Sequence, residues 1–276
     1  VRHLLIDHPM LNVSIVIYKH RFSEMESLIR SLRGSEIVDK IYIIDNSPVP
    51  SCDFKQDGLT YIFTGRNIGY GAAHNIALRK TIAAELPYHL VVNPDITMDA
   101  SILKDMIDYL EKNKDIGHLM PKVVYPDGET QYLCKLIPTP KDLIFRRFLP
   151  EKWTVKNMNR FEMRNSGYDK IMDVPYLSGC YMLLRTEALK KAGLFDERFF
   201  LYPEDIDLTR RIGEHYRTVF YPLTSVEHHH ARSSYKSFGM MLVHSWNLIK
   251  YFNKWGWIFD KKRKRINKEL IKLYNL

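Results

Sequence analysis

The chain has 276 residues, 45% of them hydrophobic, which excludes a disordered chain and allows one large core or one domain with a small extension. Its three cysteines, Cys52, Cys134 and Cys180, are scattered and odd in number, which argues against a disulfide framework or a structural zinc site and for a reducing cytoplasm. The net charge of +9 is local, because nine basic residues face two acids from Lys250 onward, so the body does not read as a nucleic-acid-binding domain.

The opening stretch is broken by Asp7, His8 and Pro9, which argues against a signal peptide, and no uncharged run is long enough to span a bilayer. Residues 13–17 (VSIVI) form a short apolar run expected as a buried strand. Phe22, Met25, Leu28, Ile29 and Leu32 then recur at helical spacing, with Gly34 as a stop. Residues 41–44 and 59–63 read as two more strands, 72–84 as a helix, 89–92 as a fourth strand and 102–110 as the next helix. Strands alternating with helices predict an α/β fold with a mostly parallel sheet covered on both faces, whose ligands sit beyond the carboxyl ends of the strands. Residues 139–173 lack clear periodicity and read as a mobile or substrate-facing region. A strand is expected over 174–184, a helix over 204–217, a strand over 218–221, and an aromatic, then basic helical region beyond Phe238.

Two strands end in an acid. Asn93-Pro94-Asp95 places a carboxylate where it can hold Mg²⁺ or Mn²⁺, although an Asp here can also simply cap a turn. Asp45-Asn46-Ser47 offers a carboxylate to a nucleobase N–H, or builds a turn. In residues 64–75 (TGRNIGYGAAHN), glycines and alanines allow close backbone approach at a helix start, which favours anions, though the segment is neither a Walker loop nor a credible GxGxxG. Residues 193–208 (GLFDERFFLYPEDIDL) lead aromatics into Glu204, Asp205 and Asp207. Crowded carboxylates raise one another's pKa, which suits a general base, while acids also favour a helix N-terminus. His228-His229-His230 follows a strand, and at most one or two of these alternating side chains can reach one metal.

Taken in order over roughly residues 13–235, these segments resemble family 2 glycosyltransferases of the GT-A fold. VSIVI matches the first strand, DNS the base-binding strand end, RNIGYGAAHN the Asn-x-Gly-aromatic loop, NPD the DxD-type metal motif, and SGCYMLLR followed by GLFDERFFLYPEDIDL the acceptor-side segment. The style is that of bacterial rhamnosyltransferase-type members that build surface polysaccharides. The resemblance implies a GT-A domain over residues 1–237, with a nucleotide-binding half at about 11–120 and an acceptor-side half at about 121–237, and a basic helical extension over 238–276. It implies that Asp45 contacts the base, that Asn67, Gly69 and Asn75 line the nucleotide site beside Asn93, and that Asp95 binds the metal. Asp205 is then the general base with Glu204 its neighbour, and one histidine of the 228–230 run, with His228 and His230 on one side of the strand, completes the metal shell. Two positions depart from the family pattern: Asn93 stands first in the metal motif, and Tyr18-Lys19-His20 ends the first strand in place of Thr-Tyr-Asn.

The expected activity is inverting transfer of a sugar, rhamnose among the candidates, from a dTDP- or UDP-linked donor to a hydroxyl of a glycan or polyprenol-linked acceptor, with Mg²⁺ or Mn²⁺. A nucleotide-sugar-binding scaffold without turnover is the other reading, and a sugar nucleotidyltransferase a third, against which the glycine-free YKHR at the first strand speaks. The aromatic and basic tail suits an anionic membrane surface, giving a peripheral protein on the cytoplasmic face, or else packs on the domain.

Overall fold

The apolar runs form a central sheet in the computed structural model, which describes residues 9–145, 151–229 and 238–276. In chain order the first elements are β1 (Leu11–Ile17), α1 (Glu26–Arg33), β2 (Val38–Asp45), β3 (Leu59–Phe63), α2 (Tyr70–Ala83), β4 (Tyr88–Val92), β5 (Ile96–Thr97), α3 (Ile102–Lys112) and β6 (Ile116–Val124). There follow β7 (Cys134–Lys135), α4 (Glu151–Phe161), β8 (Met172–Asp173), β9 (Tyr176–Leu177), β10 (Tyr181–Arg185) and α5 (Thr186–Ala192). The last elements are α6 (Glu204–Ile212), β11 (Arg217–His228), α7 (Phe238–Trp255) and α8 (Lys261–Tyr274).

The main sheet runs β3-β2-β1-β4-β10-β6-β11-β5, with β8 against β11. Its first four strands are parallel, β10 is antiparallel to both neighbours, and β6 and β11 run parallel to each other. Helices cover both faces, so β1 and β4 are buried almost throughout and read as continuous apolar runs rather than alternating ones. A fully buried Ile15 or Leu90 contributes about 2 kcal/mol through removal from water. The topology brings the ends of β2, β4, β6 and β11 and the start of β10 to one edge. There Ile17 pairs with Asp45, Tyr181 with Val92, and His228 with Ile96.

Three stretches differ from the sequence reading. Residues 139–173 hold helix α4 and strand β8, so the lack of periodicity did not mean lack of regular structure. The strand expected over 174–184 is broken into β9 and β10, since Pro175 and Gly179 interrupt it. The helix from Glu204 stops at Ile212, with Gly213 as its cap, and β11 begins at Arg217 and extends to His228.

The tail is packed onto the body. In α7, Tyr251 and Phe252 are fully buried in a second core with Phe199, Ile206 and Phe220. Asp207, itself fully buried, accepts a hydrogen bond from Trp255 Nε1 at 2.8 Å and pairs with Lys254 Nζ at 2.6 Å and Arg211 Nε at 2.8 Å. Arg210 and Asp260 form a buried ion pair at 2.6 Å, and the Arg210 guanidinium lies 3.9 Å from the Trp255 ring centroid. Asp260 Oδ1 also caps α8 by accepting from Arg263 N at 2.9 Å. Among the described residues no helix is long and apolar enough to cross a membrane.

Candidate active site

The Glu-Asp pair opens α6 beneath the edge where the strands end. Asp205 Oδ2 accepts from Gly179 N at 3.0 Å and lies 3.5 Å from the Tyr176 hydroxyl, and Oδ1 accepts from Ile206 N at 2.8 Å. Gly179 must be small, because a Cβ there would sit 3.1 Å from Asp205 Cβ. Burial pushes the Asp205 carboxyl above its ordinary range, while the Gly179 N–H and the Lys135 charge pull it back. Lys135 sits over the Tyr176 ring, 5.2 Å from its centroid, on the β7–β9 pair.

Glu204 is buried, and its Oε2 has no hydrogen-bond partner among the described residues. Burial first, and the neighbouring Asp205 second, hold its carboxyl well above the ordinary value of 4.5. Two adjacent buried carboxyls cannot both ionise cheaply, so Glu204 keeps the proton and Asp205 is the anion. The folded state therefore gains nothing from ionising Glu204 at the pH where the unfolded chain does. Its stabilising contribution is complete below the unfolded value and is lost as pH rises towards the folded one. Glu204→Gln should flatten the decline of stability as pH rises above the ordinary glutamate value of 4.5, read by urea melts. Parallel pH profiles for variant and wild type would remove Glu204 from this account.

Asp95, at the end of β4, is tied to the same place. Tyr70, in the first turn of α2, reaches Asn93 Oδ1 at 3.0 Å and the Gly179 carbonyl at 2.8 Å. The chain Asn93–Tyr70–Gly179–Asp205 thus joins the NPD turn to the carboxylate of α6. Burial raises the Tyr70 phenol well above its usual range, and Glu204, Cys180, Asp205 and Asp95 all add to that shift.

Asp95 Oδ1 lies 3.2 Å from His228 Nε2. His228 Nδ1 lies 2.9 Å from Gln131 Oε1, and Gln131 Nε2 donates to the His228 carbonyl at 2.8 Å. A proton on Nδ1 facing Gln131 leaves the Nε2 lone pair towards Asp95, the tautomer that binds metals. One imidazole nitrogen and one carboxylate oxygen this close suit a divalent cation whose other positions are filled by phosphate oxygens and water. Among the described residues no cluster of three His, Cys, Asp or Glu forms a self-sufficient cage. His230, expected as a further ligand, lies outside the described residues, and His229 pairs with Glu227 at 2.6 Å.

The residues expected to line the nucleotide are placed differently. Asp45 is fully buried, with Oδ1 accepting from Ser47 N at 2.8 Å and Oδ2 from the Tyr61 hydroxyl at 2.6 Å. Asn75 is also buried and forms an interior tether: its amide donates to the Phe195 carbonyl at 2.9 Å and to Glu197 Oε1 at 2.9 Å, and accepts from Phe195 N at 3.0 Å. Gly69, too, serves packing. It adopts φ +93°, and a Cβ there would meet the Phe200 carbonyl oxygen at 2.5 Å. Its N–H donates to Asn67 Oδ1 at 3.0 Å, and Tyr70 N donates to the Phe200 carbonyl at 2.9 Å. The close approach that the glycines permit is that of the 195–200 segment, and two donors at the start of α2 are already engaged. Of the three loop residues, Asn67 alone is exposed.

The sequence marks Tyr70 only as the aromatic of its loop motif and gives no sign of Lys135, Tyr176 and Gln131. Each matters through a partner far along the chain, as Gln131 does for His228, 97 positions away. No local pattern marks such a residue.

The architecture is that of the GT-A glycosyltransferases. A solved structure described as GalNAc-T7 with UDP, GalNAc and Mn²⁺ superposes with a TM-score of 0.60 at 14% identity, covering 98% of this chain and 55% of that one. In sequence the chain is similar to the N-acetylglucosaminyl-diphospho-decaprenol L-rhamnosyltransferase of Mycobacterium tuberculosis, 30% identical over 186 residues, or 62% of this chain. The match spans 59% of that relative's length. It is also similar to rhamnosyltransferase WbbL of Escherichia coli K12, 27% identical over 239 residues, covering 80% of this chain and 86% of that one. No family model matches. The rhamnosyltransferase-type resemblance and the GT-A fold read from the motifs are thus met again across the chain.

Proposed function

We propose that the chain is an inverting glycosyltransferase that moves a sugar, rhamnose foremost, from a dTDP- or UDP-linked donor to a hydroxyl of a glycan or lipid-linked acceptor of a bacterial surface polysaccharide. The observation that supports this reading is the Asn93–Tyr70–Gly179–Asp205 chain, which ties the turn carrying Asp95 to the buried carboxyl of Asp205 at one sheet edge. The names of the relatives support the choice of sugar and of a diphospholipid acceptor.

In this reaction Asp205 removes the proton from the acceptor hydroxyl as its oxygen bonds to the anomeric carbon. The bond from that carbon to the donor's phosphate oxygen breaks on the opposite face, and the nucleoside diphosphate departs. Burial makes Asp205 a stronger base than an exposed carboxylate, and the Gly179 and Ile206 N–H groups aim it. Glu204, keeping its proton, adds no second negative charge. Asp95 and His228 would hold Mg²⁺ or Mn²⁺, which when bound supplies charge compensation for the leaving diphosphate. The nucleobase is assigned to the end of β2 at Asp45, whose carboxylate would have to exchange its bond from Ser47 N or the Tyr61 hydroxyl for one from the nucleobase, with Asn67 the loop residue exposed to the nucleotide. The chain would work as a peripheral protein on the cytoplasmic face of the membrane, where a lipid-linked acceptor is met.

A thermal-shift screen of dTDP- and UDP-sugars with Mn²⁺, followed by a transfer assay on a lipid-linked acceptor, tests the reading. Donor binding without transfer or donor hydrolysis would leave a binding protein instead. Asp95→Ala should abolish the Mn²⁺-dependent part of the thermal shift with nucleoside diphosphate, since ligand binding to the folded state is what raises the melting point. An unchanged Mn²⁺ titration would remove Asp95 from the metal site.

A further inference from the structure

The tail does not behave as a single amphipathic stretch. Its aromatic residues divide into two sets. Tyr251 and Phe252 face the core, and Trp255 is held by Asp207. Leu242, Trp246 and Ile249, spaced four and three apart on one face of α7, are exposed at 54%, 60% and 37%. That face continues through Asn253, which accepts from Trp257 Nε1 at 2.8 Å, into the turn before α8. There Ile258 and Phe259 are exposed at 67% and 89%. A hydrophobic ridge so open has no covering element among the described residues.

Beside this turn lies a cavity of about 630 Å³ between the 136–142 segment, the end of α4 and the start of α8. Trp257, Ile258 and Phe161 give it apolar walls, and the exposed Lys141, Arg160, Lys264 and Lys268 surround it with cations. The one acid in its lining, Asp142, is turned to Thr139, accepting from its N–H at 2.8 Å and its hydroxyl at 2.6 Å. Apolar tip and cationic surround therefore occur together.

We propose that the α7–α8 turn is a docking surface for an anionic phospholipid bilayer. Ile258 and Phe259 enter the acyl boundary, Trp257 lies at headgroup depth, and Lys141, Arg160, Lys264 and Lys268 meet the lipid phosphates. Charge complementarity selects this occupant. A second copy docking through the same surface would set these cations against their own kind. The proposed transfer reaction shares with this only a membrane location, and lipid binding is read without turnover, so either can fail alone.

The test is flotation of the full chain with vesicles of phosphatidylcholine and with an equal mixture of phosphatidylcholine and phosphatidylglycerol. The expected result is binding to the mixed vesicles only. Lys264→Gln with Lys268→Gln should weaken partitioning about thirtyfold, at the usual contribution of a basic residue near an anionic surface. Ile258→Ser with Phe259→Ser should weaken it at least about tenfold. All four sites are exposed, so melting temperatures should not change, and a circular dichroism melt confirms that the loss is one of binding. Failure of the wild type to float, equal binding to both vesicle types, or variants that float like wild type would each overturn the proposal. So would sedimentation showing a dimer that the Ile258 and Phe259 substitutions dissolve, which would make the ridge an interface between copies.

Discussion

Asp205→Asn should lower the turnover number for sugar transfer by about a thousandfold while leaving the donor dissociation constant within about twofold. The asparagine is isosteric and keeps one oxygen, which accepts from either Gly179 N or Ile206 N but not both, and it cannot take a proton; a melting curve of the variant checks that the fold survives the lost bond. General-base assistance typically contributes a factor of about 10² to 10⁴, which sets the scale of the loss. The proposed donor contacts are made by Asp45 and Asp95 and not by Asp205, so binding should persist. Steady-state kinetics with calorimetric titration of the donor separates the two quantities. Near-normal turnover in the variant would place the base elsewhere and leave the Glu204–Asp205 pair a capping feature only.

Asp260→Ala should destabilise the fold by about 3–5 kcal/mol, because it strands the Arg210 guanidinium inside the protein. The pair is buried on both sides and separated by 2.6 Å. Breaking such a pair is costly less for the attraction lost than for the unpaired charge left out of water. Asp260 also caps α8 through Arg263 N, a contribution of about 1 kcal/mol. Asp260→Asn retains the cap while removing the charge, so comparing the two variants by guanidinium melts separates the terms. A cost under about 1 kcal/mol for both would mean that water reaches Arg210 in solution.

Much of the first half was legible because parallel strands buried on both faces make unmistakable apolar runs. β1, β2 and β4 each fell where such a run lies, the partly exposed edge strand β3 fell on the β-branched and aromatic LTYIF segment, and two of these strands lead into the acids that attract attention. Elements whose burial is one-sided or interrupted were harder to read. α4 mixes Asn, Lys and Met without a sustained stripe, and β9 and β10 are separated by a bend that a continuous apolar count passes over. The acids of the candidate site were visible, but the duties of their neighbours were not. Asn75 looked like part of a nucleotide loop, yet its partner Phe195 is 120 residues away. Gly69 carried a true message of close approach, but nothing local says that the approaching group is Phe200. In the tail, composition suggested one amphipathic surface. Only the helical phase of Tyr251 and Phe252 against Trp246 and Ile249 separates the buried face from the open one.

Helix α6 carries Asp205 in its first turn and Arg210 five residues, or about 7.5 Å, further along. The second residue is bolted to the start of α8 and the first projects among the strand ends. A helix this short does not bend appreciably between those points. The tilt at which the tail rests on any surface therefore sets the direction from which an incoming hydroxyl must arrive at Asp205. If the proposed base and docking turn both hold, the reach of the site above that surface is a fixed length of this molecule, which would favour acceptors of matching height.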